Sequence, residues 1–516
     1  MTHSSVAWQY HTQTKYAPET LGQGQDIDWD HPPAQFKHYP GAPQIPLLPY
    51  HPLDKLRSEE DSAHRLNDPD SPLALPRLSR LLYFTNGITA IARSAEGEHF
   101  FRAAPSAGAL YPTELYLLVR RHLDLADGVY NYNVRNHALV EVYPKGLGPS
   151  GDELFQRLSA ACLNHRAVRD ADAAIVATAV YWRSAWRYGP RAFRRCMLDT
   201  GHVLGNLDLA VPRQGLCTFA VGGCVDDEVA DLLAIPHGQE GVVGVFPLHS
   251  HDAFERVRRG TAALASSPLK LEDARGEDPL RRLHEATCIR REDLAAIRAA
   301  AGVDAGADYK ISQKHEFAAG VKLTPSGADL AADLEHTILR RRSTRQLSGE
   351  GLSLRELSDV MAFAYRPDLV SPEDALPRYF DSGMLETFVV VHDVQGMEPG
   401  VYYLAPRQLE LRLVKRGVFR GETHHIALGQ DLARDAACVM FHTADLTSAL
   451  ERYGNRAYRY LHLDAGHIGE RVNLAAIRLG LGVSGIGGFF DDAVNQLLDV
   501  PQRELCVYIT CLGRAG

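Results

Sequence analysis

Long apolar runs are missing from this 516-residue chain, and none approaches the roughly 18 to 20 residues needed to cross a bilayer. The amino terminus shows no basic segment followed by an apolar one, so neither an export signal nor an anchor is expected and the expected location is the cytoplasm. The eight cysteines form no CxxC pair and no metal-like Cys/His spacing. A chain of this length needs no disulfide staples, so these thiols read as small buried hydrophobes in a reducing compartment, and no metal site is expected. Excess positive charge is absent as well. Lys and Arg number 55 against 64 Asp and Glu, a formal net charge of −9, which argues against nucleic acid or an anionic membrane as partner. At 45% hydrophobic and 23% charged residues, the chain has the composition of an ordinary globular protein with room for two cores.

The positive signal is internal repetition. GLCTFAVGGCVDDEVADLLAIP, from Gly215, returns as GLGVSGIGGFFDDAVNQLLDVP from Gly480, and YGPRAFRRCMLDTGH, from Tyr188, returns as YGNRAYRYLHLDAGH from Tyr453. Both offsets are 265 (480 − 215 and 453 − 188). A third pair, GVYNYNVRNHALVEV at Gly128 and GVYYLAPRQLELRLV at Gly400, is offset by 272 (400 − 128), so a small insertion separates it from the later blocks. Periods this long exceed those of solenoids and indicate duplicated domains, and a fused pair of like domains reproduces a two-fold dimer inside one chain.

The pattern divides the chain into an extended, Pro-, His- and Tyr-rich arm over 1–60, a first domain over 61–251, an Ala-, Arg- and Asp-rich linker over 252–335 and a second domain over 336–516. Each domain reads as α+β. A helix opened by Pro76 and a buried strand from Glu114 in the first are matched in the second by a capping box, Ser353 with Glu356, and the strand TFVVVHDV. AAIVATAVYW from Ala173 and AACVMFHTADL from Ala436 read as central strands. The DTGH and DAGH blocks are expected to open long helices at a buried domain interface, with Asp199 and Asp464 as caps and His202 and His467 as helix-start or interface residues. EDLAAIRAAAG in the linker reads as an amphipathic helix.

Three strings carry candidate chemistry. Arg341, Arg342, Ser343 and Arg345 put three guanidiniums and a hydroxyl within five residues, which suits either a phosphate grip or a solvated helix end. Pro105, Ser106, Ala107 and Gly108 form a small-residue turn before a strand, either a plain loop or a place where backbone amides approach a flat polar ring. Gly485, Ile486, Gly487 and Gly488 form a glycine loop after a buried helix that permits the same close approach, and it reads as a generic loop rather than a GxGxxG or P-loop motif.

Together with APSAGALYPTELY, the paired YG.RA(F/Y)R and GH blocks and the VGGC and IGGF loops, these strings resemble the nitroreductase-like flavoproteins, and over nearly the whole chain the SagB/ThcOx type, the azoline dehydrogenases of peptide natural-product pathways. The resemblance implies an α+β fold with a mostly antiparallel central sheet flanked by helices, two copies forming an intramolecular pseudo-dimer, and FMN at their interface. It implies that Arg341, Arg342 and Ser343 hold the phosphate region and Arg345 the flavin's polar edge, with Pro105 to Gly108 opposite and Gly485 to Gly488 at the ring margin. Arg514 is implied as a second phosphate cation. The second half keeps RRSTR and SGIGGF but alters the APSAG turn to YFDSGM, and the first half does the reverse, so one composite site per chain is expected and its pseudo-symmetric counterpart is expected to be lost.

Where the azoline oxidases carry a Lys-Tyr pair, this chain has Arg187-Tyr188 and Arg452-Tyr453. Arginine is a poor general base, so Tyr188 or Tyr453 would serve only if a neighbouring cation lowered its pKa from about 10, and a purely structural anchoring role is an equal alternative. The leading functional expectation is an FMN-dependent dehydrogenase or oxidase acting on an azoline-like heterocycle or related C–N or C–C bond, with reoxidation by dioxygen and a cyclodehydratase as the implied partner. An NAD(P)H-driven nitro or ene reductase is the alternative enzyme reading, and a binding or scaffold protein without activity is the alternative of another class.

Overall fold

A computed structural model of the chain describes residues 5–19, 21, 27–47, 73–94, 97–250, 263–267, 278–301, 314–369 and 378–516. It contains two seven-stranded sheets of identical topology. In chain order the strands of the first are β1 (Gln44–Pro46), β4 (Thr113–Val119), β5 (Gly128–Asn133), β6 (Ala138–Glu141), β7 (Ala173–Val180), β8 (Leu216–Thr218) and β9 (Glu240–Ser250), arranged 1-6-5-4-7-9-8. A separate hairpin, β2 (Ile88–Ser94) and β3 (Gly97–Arg102), belongs to the first half. The second sheet runs β10 (Gly320–Lys322), β11 (Glu386–Val391), β12 (Gly400–Ala405), β13 (Glu410–Arg416), β14 (Cys438–Asp445), β15 (Gly482–Ile486) and β16 (Glu504–Gly513), arranged 10-13-12-11-14-16-15. Every pairing is antiparallel. Even an irregularity is repeated: the register of β7 against β9 shifts at Ala177/Thr178, and that of β14 against β16 shifts at His442/Thr443. Such a shift re-aims the side chains on either side of it, and here it does so identically in both halves.

The helices that matter for the site are α1 (Val6–Gln13), α2 (Tyr181–Tyr188), α3 (Ala192–Arg213), α4 (Pro279–Thr287), α5 (Leu334–Arg340), α6 (Leu446–Tyr453) and α7 (Ala457–Arg478). The long pair α3 and α7 is buried along nearly its whole length. The two helices meet where both lack side chains. A Cβ added to Gly201 would lie 2.9 Å from the Cα of Gly466, and one added to Gly466 would lie 3.1 Å from the Cα of Gly201. The glycines of the two GH motifs therefore let backbone touch backbone at the centre of the molecule.

Contrary to the expectation from sequence, the DTGH and DAGH blocks do not open these helices. The helices start at Ala192 and Ala457, and Asp199 and Asp464 sit two turns inside, so neither is a cap. The capping box of Ser353 and Glu356 is present, as are the proline-opened helix Leu75–Asn86 and the linker helix Leu294–Ala301.

Two buried ion clusters cross the interface with the same symmetry. Arg191 and Arg194 of the first half bond Asp491 of the second at 2.8 and 2.7 Å, and Arg456 and Arg459 of the second bond Asp226 of the first, both at 2.7 Å. The arms obey it too. Arg194 donates to the His11 carbonyl and the Thr14 hydroxyl at the end of α1, and Arg459 donates to the His284 carbonyl and the Thr287 hydroxyl at the end of α4. The Tyr16 amide then bonds Asp491, and the Ile289 amide bonds Asp226. The stretch that reads as a linker thus carries, in α4 and β10, counterparts of α1 and β1, and the arm itself holds a helix capped by Ser5.

Candidate functional site

A cavity of about 1230 Å³ opens between the halves. The turn Pro105–Gly108, which precedes β4, forms part of its wall. Gly108 has a left-handed φ of 63°, and a Cβ there would lie 2.8 Å from the Tyr188 hydroxyl, so glycine answers both the backbone and the neighbour. The turn is held from α3. The Asp199 carboxylate accepts from the Ser106 hydroxyl at 2.6 Å and from the Ala107 amide at 3.1 and 3.2 Å. Burial pushes the Asp199 carboxyl up to about 7, against the opposing pull of the Ser106 and Ala107 hydrogen bonds and of Arg195.

Arg341, Arg342, Ser343 and Arg345 follow α5 and all line the same cavity, although they belong to the second half. Two of the guanidiniums reach across to the first half. Arg341, buried, donates to the carbonyls of Ala103 at 2.6 Å and Arg102 at 3.1 Å. Arg342 donates to the Thr89 hydroxyl and carbonyl at 3.1 and 3.2 Å and lies over the Phe101 ring. Arg345 is exposed. Much of the hydrogen-bonding capacity of the first two arginines is therefore spent on fastening the halves together.

The loop Gly485–Gly488 supplies a third wall. A Cβ on Gly485 would collide with the Tyr508 hydroxyl, one on Gly487 with the Arg195 guanidinium, and one on Gly488 would lie 3.3 Å from the same group. Gly480, Gly482 and Gly485 do have GxGxxG spacing, so the sequence reading missed a match, but the string runs from the end of α7 into β15. That is the reverse of the strand-to-helix order a dinucleotide fingerprint requires. Below the loop, the His202 Nδ1 donates to the Leu198 carbonyl at 2.8 Å, which leaves Nε2 to accept from the Tyr508 hydroxyl at 3.1 Å. Burial lowers the pKa of His202 to about 4, so the ring is neutral.

Of the four candidate catalytic residues, only Tyr188, at the end of α2, lines the cavity. Its ring stacks on Arg195, with the guanidinium carbon 4.0 Å from the ring centroid. Its pKa is raised, because burial outweighs Arg195 and Arg187. The expectation of a cation-lowered phenol is therefore not met. Arg187 is exposed, with its guanidinium carbon 6.0 Å from the Trp29 ring centroid. Tyr453 and Arg452, at the end of α6, lie in the other half-site, where both bond Asp381, and burial and Asp381 raise the Tyr453 pKa. Arg514 also lies away from the cavity, paired with Glu356 of the capping box at 2.8 Å.

The counterpart of the cavity is filled. Asp464 receives the amides of Phe380 and Asp381 at 2.9 and 2.8 Å, as Asp199 does that of Ala107, and burial likewise raises its pKa to about 7. There Phe380 stacks on Tyr460 with centroids 5.1 Å apart, and both rings press on Gly222, the counterpart of Gly487, while Leu264 covers Gly223. Sequence reasoning missed Arg195, Asp199 and Tyr508 as cavity residues, and it missed that the arm lines the mouth with Tyr16, Leu21, Ile27 and Trp29. All eight cysteines are buried, and among the described residues no group of three or more His, Cys, Asp or Glu could hold a metal ion. No helix among the described residues is long and apolar enough to cross a membrane.

Comparison with known proteins places these features in a family. The model of the nitroreductase family matches residues 68–248 and again 338–514. A crystal structure of a protein from Anabaena variabilis, described as a nitroreductase, is 40% identical, covers 100% of both chains and superposes with a TM-score of 0.85. A Methanocaldococcus jannaschii protein also described as a nitroreductase is 33% identical over 173 residues, 33% of this chain and 87% of its own. The trifolitoxin-processing protein TfxB of Rhizobium leguminosarum bv. trifolii is 31% identical over 162 residues, 31% of this chain and 42% of its own.

Proposed function

The chain belongs to the nitroreductase family, in the SagB-like tandem form, and from that premise we propose that it is an FMN-dependent dehydrogenase or oxidase acting on an azoline-like heterocycle, or a related C–N or C–C bond, of a peptide or natural-product intermediate. The observation that carries this reading is that RRSTR, the Pro105–Gly108 turn and the glycine loop, drawn from both halves, all border one cavity while its twin is filled by side chains. The residues fit the cofactor. Cations stand on one side, glycines whose added Cβ would collide with neighbours stand on another, and the small-residue turn allows close approach to a flat ring.

FMN bound there would supply a two-electron oxidant, with dioxygen as the terminal electron acceptor. Arg342, Ser343 and Arg345 would hold its phosphate and polar edge, with Arg341 keeping their segment in place. Tyr188, its pKa raised, keeps its proton and donates a hydrogen bond to the substrate heteroatom. Asp199, the carboxyl bordering the cavity with its pKa raised to about 7 by burial, would take the proton that the substrate gives up on oxidation. Asp464 holds the matching turn in the filled half-site, so Asp199 would serve as anchor and proton acceptor alike.

The likeness to TfxB, named as a trifolitoxin-processing protein, supports a place in natural-product processing, and a cyclodehydratase is the partner class of this proposal. A reductase of nitro or activated C=C groups is the second reading, favoured by the descriptions of the Anabaena and Methanocaldococcus relatives. The test is to reconstitute the protein with FMN and supply azoline-containing peptides under air. The proposed direction predicts substrate-dependent oxygen uptake with a two-dalton mass loss. NAD(P)H oxidation driven by a nitroarene, without that mass loss, would favour the second reading.

A further inference from the structure

Arg195 is a buried cation without an ion-pair partner among the described residues. It is 8% exposed, borders the cavity, has an Nε without a hydrogen-bond partner, and lies within 4.0 Å of no carboxylate among the described residues. The face of Tyr188 lies 4.0 Å away, Gly487 and Gly488 flank the guanidinium, and the Asp199 carboxyl acts on it only from beyond ion-pair distance. Asp199, one helical turn further on, bonds Ser106 and Ala107 rather than Arg195. Its Nε is buried without a partner, and its other nitrogens, which border the cavity, meet no anion among the described residues, so the cost of holding this charge here is offset best by an anionic group that arrives with a ligand.

The filled half-site serves as an internal control. The counterpart of Arg195 there, by the 265-residue offset, is Tyr460, whose hydroxyl is satisfied by Arg456 and by the carbonyls of Gly222 and Leu264. The fold at this position accepts a neutral aromatic, and a cation stands only where the cavity is open. Arg341 and Arg342 are anchored by Arg102, Ala103, Thr89 and Phe101, and Arg195 makes no hydrogen bond or ring contact with any of these. Arg195 therefore stands apart from the cluster assigned to the cofactor phosphate.

We infer that Arg195 binds a carboxylate of the substrate, so that the cavity selects carboxylate-bearing molecules and orients them against Tyr188. The planar guanidinium presents paired donors that match a carboxylate, and Tyr188 holds its plane. This deepens the oxidoreductase reading and rests on it only for the presence of FMN beside the bound molecule.

The test compares benzoate with its neutral isostere benzamide, titrated into FMN-loaded protein by calorimetry and by flavin absorbance. Benzoate is expected to bind at least tenfold more tightly than benzamide. Arg195→Gln should abolish that preference while leaving benzamide affinity and FMN occupancy within twofold, and Arg195→Lys should restore part of it. Equal binding of the two probes by the wild-type protein, or a preference that survives Arg195→Gln, overturns the inference. So does a loss of FMN affinity of tenfold or more in Arg195→Gln with the benzoate preference intact, since Arg195 would then serve the cofactor. Arg195→Tyr, which copies the filled half-site, keeps the test readable if the glutamine variant fails to fold. Failure to take up FMN at all would instead sink the flavoenzyme reading, and benzoate binding to the apoprotein would still report on Arg195.

Discussion

Replacing Gly201 with alanine probes the joint on which the composite cavity depends. In an isolated helix interior the change is favourable by about 1 kcal/mol. At this crossing the new Cβ lies 2.9 Å from the Gly466 Cα and 3.0 Å from the Leu463 carbonyl carbon, and nearer still to the Leu463 oxygen. Carbon contacts are comfortable at about 3.5 to 4.0 Å, and the groups in the way are backbone, so the helices must part by roughly half an ångström or more along buried faces. Overpacking of this kind costs about 1 to 3 kcal/mol, and backbone against backbone belongs at the upper end or beyond. The net effect is a loss of about 2 kcal/mol, or about 4 °C or more in melting temperature if each half unfolds as a unit.

Gly205→Ala is the comparison, because its Cβ would lie 2.9 Å from the Glu470 Cβ and no nearer than 3.2 Å to the His467 backbone oxygen, a milder clash than at Gly201, so it should cost less than Gly201→Ala. Thermal melts by circular dichroism and FMN titration read both variants. Gly201→Ala should lower stability and flavin affinity together, and adding Gly466→Ala should cost less than the first change did, because the helices are already apart. A Gly201→Ala protein as stable as wild type, or more stable, would refute the close crossing.

Asp491→Ala leaves Arg191 and Arg194 buried without their anion and should cost about 3 to 5 kcal/mol in denaturant unfolding, whereas replacing all three with apolar residues should recover most of the loss. Asp464 keeps its proton to a pH of about 7 in the folded chain but only to about 4 when unfolded, so it adds stability below pH 4 that is lost as pH rises through 7. Asp464→Asn should therefore match wild type near pH 4 and exceed it at pH 8, and a difference that does not vary with pH would contradict the raised pKa. Tyr188→Phe and Asp199→Asn should each lower turnover about a hundredfold or more with FMN retained, whereas Tyr453→Phe should leave turnover within a few-fold.

The duplication was legible because two long blocks kept one offset, and the composite cavity was legible because the surviving motifs were complementary. The second arm was not, because its likeness to the first has shrunk to a histidine and a threonine three residues apart, His11 with Thr14 and His284 with Thr287, which Arg194 and Arg459 read through hydrogen bonds. Asp199 was misread as a cap because an acidic residue near a helix start has that common role, whereas its partner, the Ser106 turn, lies 93 residues away in sequence. Arg195 was hidden inside RAFRR, where two of the arginines, Arg191 and Arg194, do serve the interface and the next one turns into the cavity. Helical periodicity reports which residues share a face, not which neighbour each will find across an interface.

The central claim is a single composite cofactor site per chain. Purified protein reconstituted with excess FMN, freed of unbound flavin and then denatured should release one equivalent of FMN per chain. Two equivalents would mean that Phe380, Tyr460 and Leu264 do not close the twin site, and none would mean that the cavity is not a flavin site.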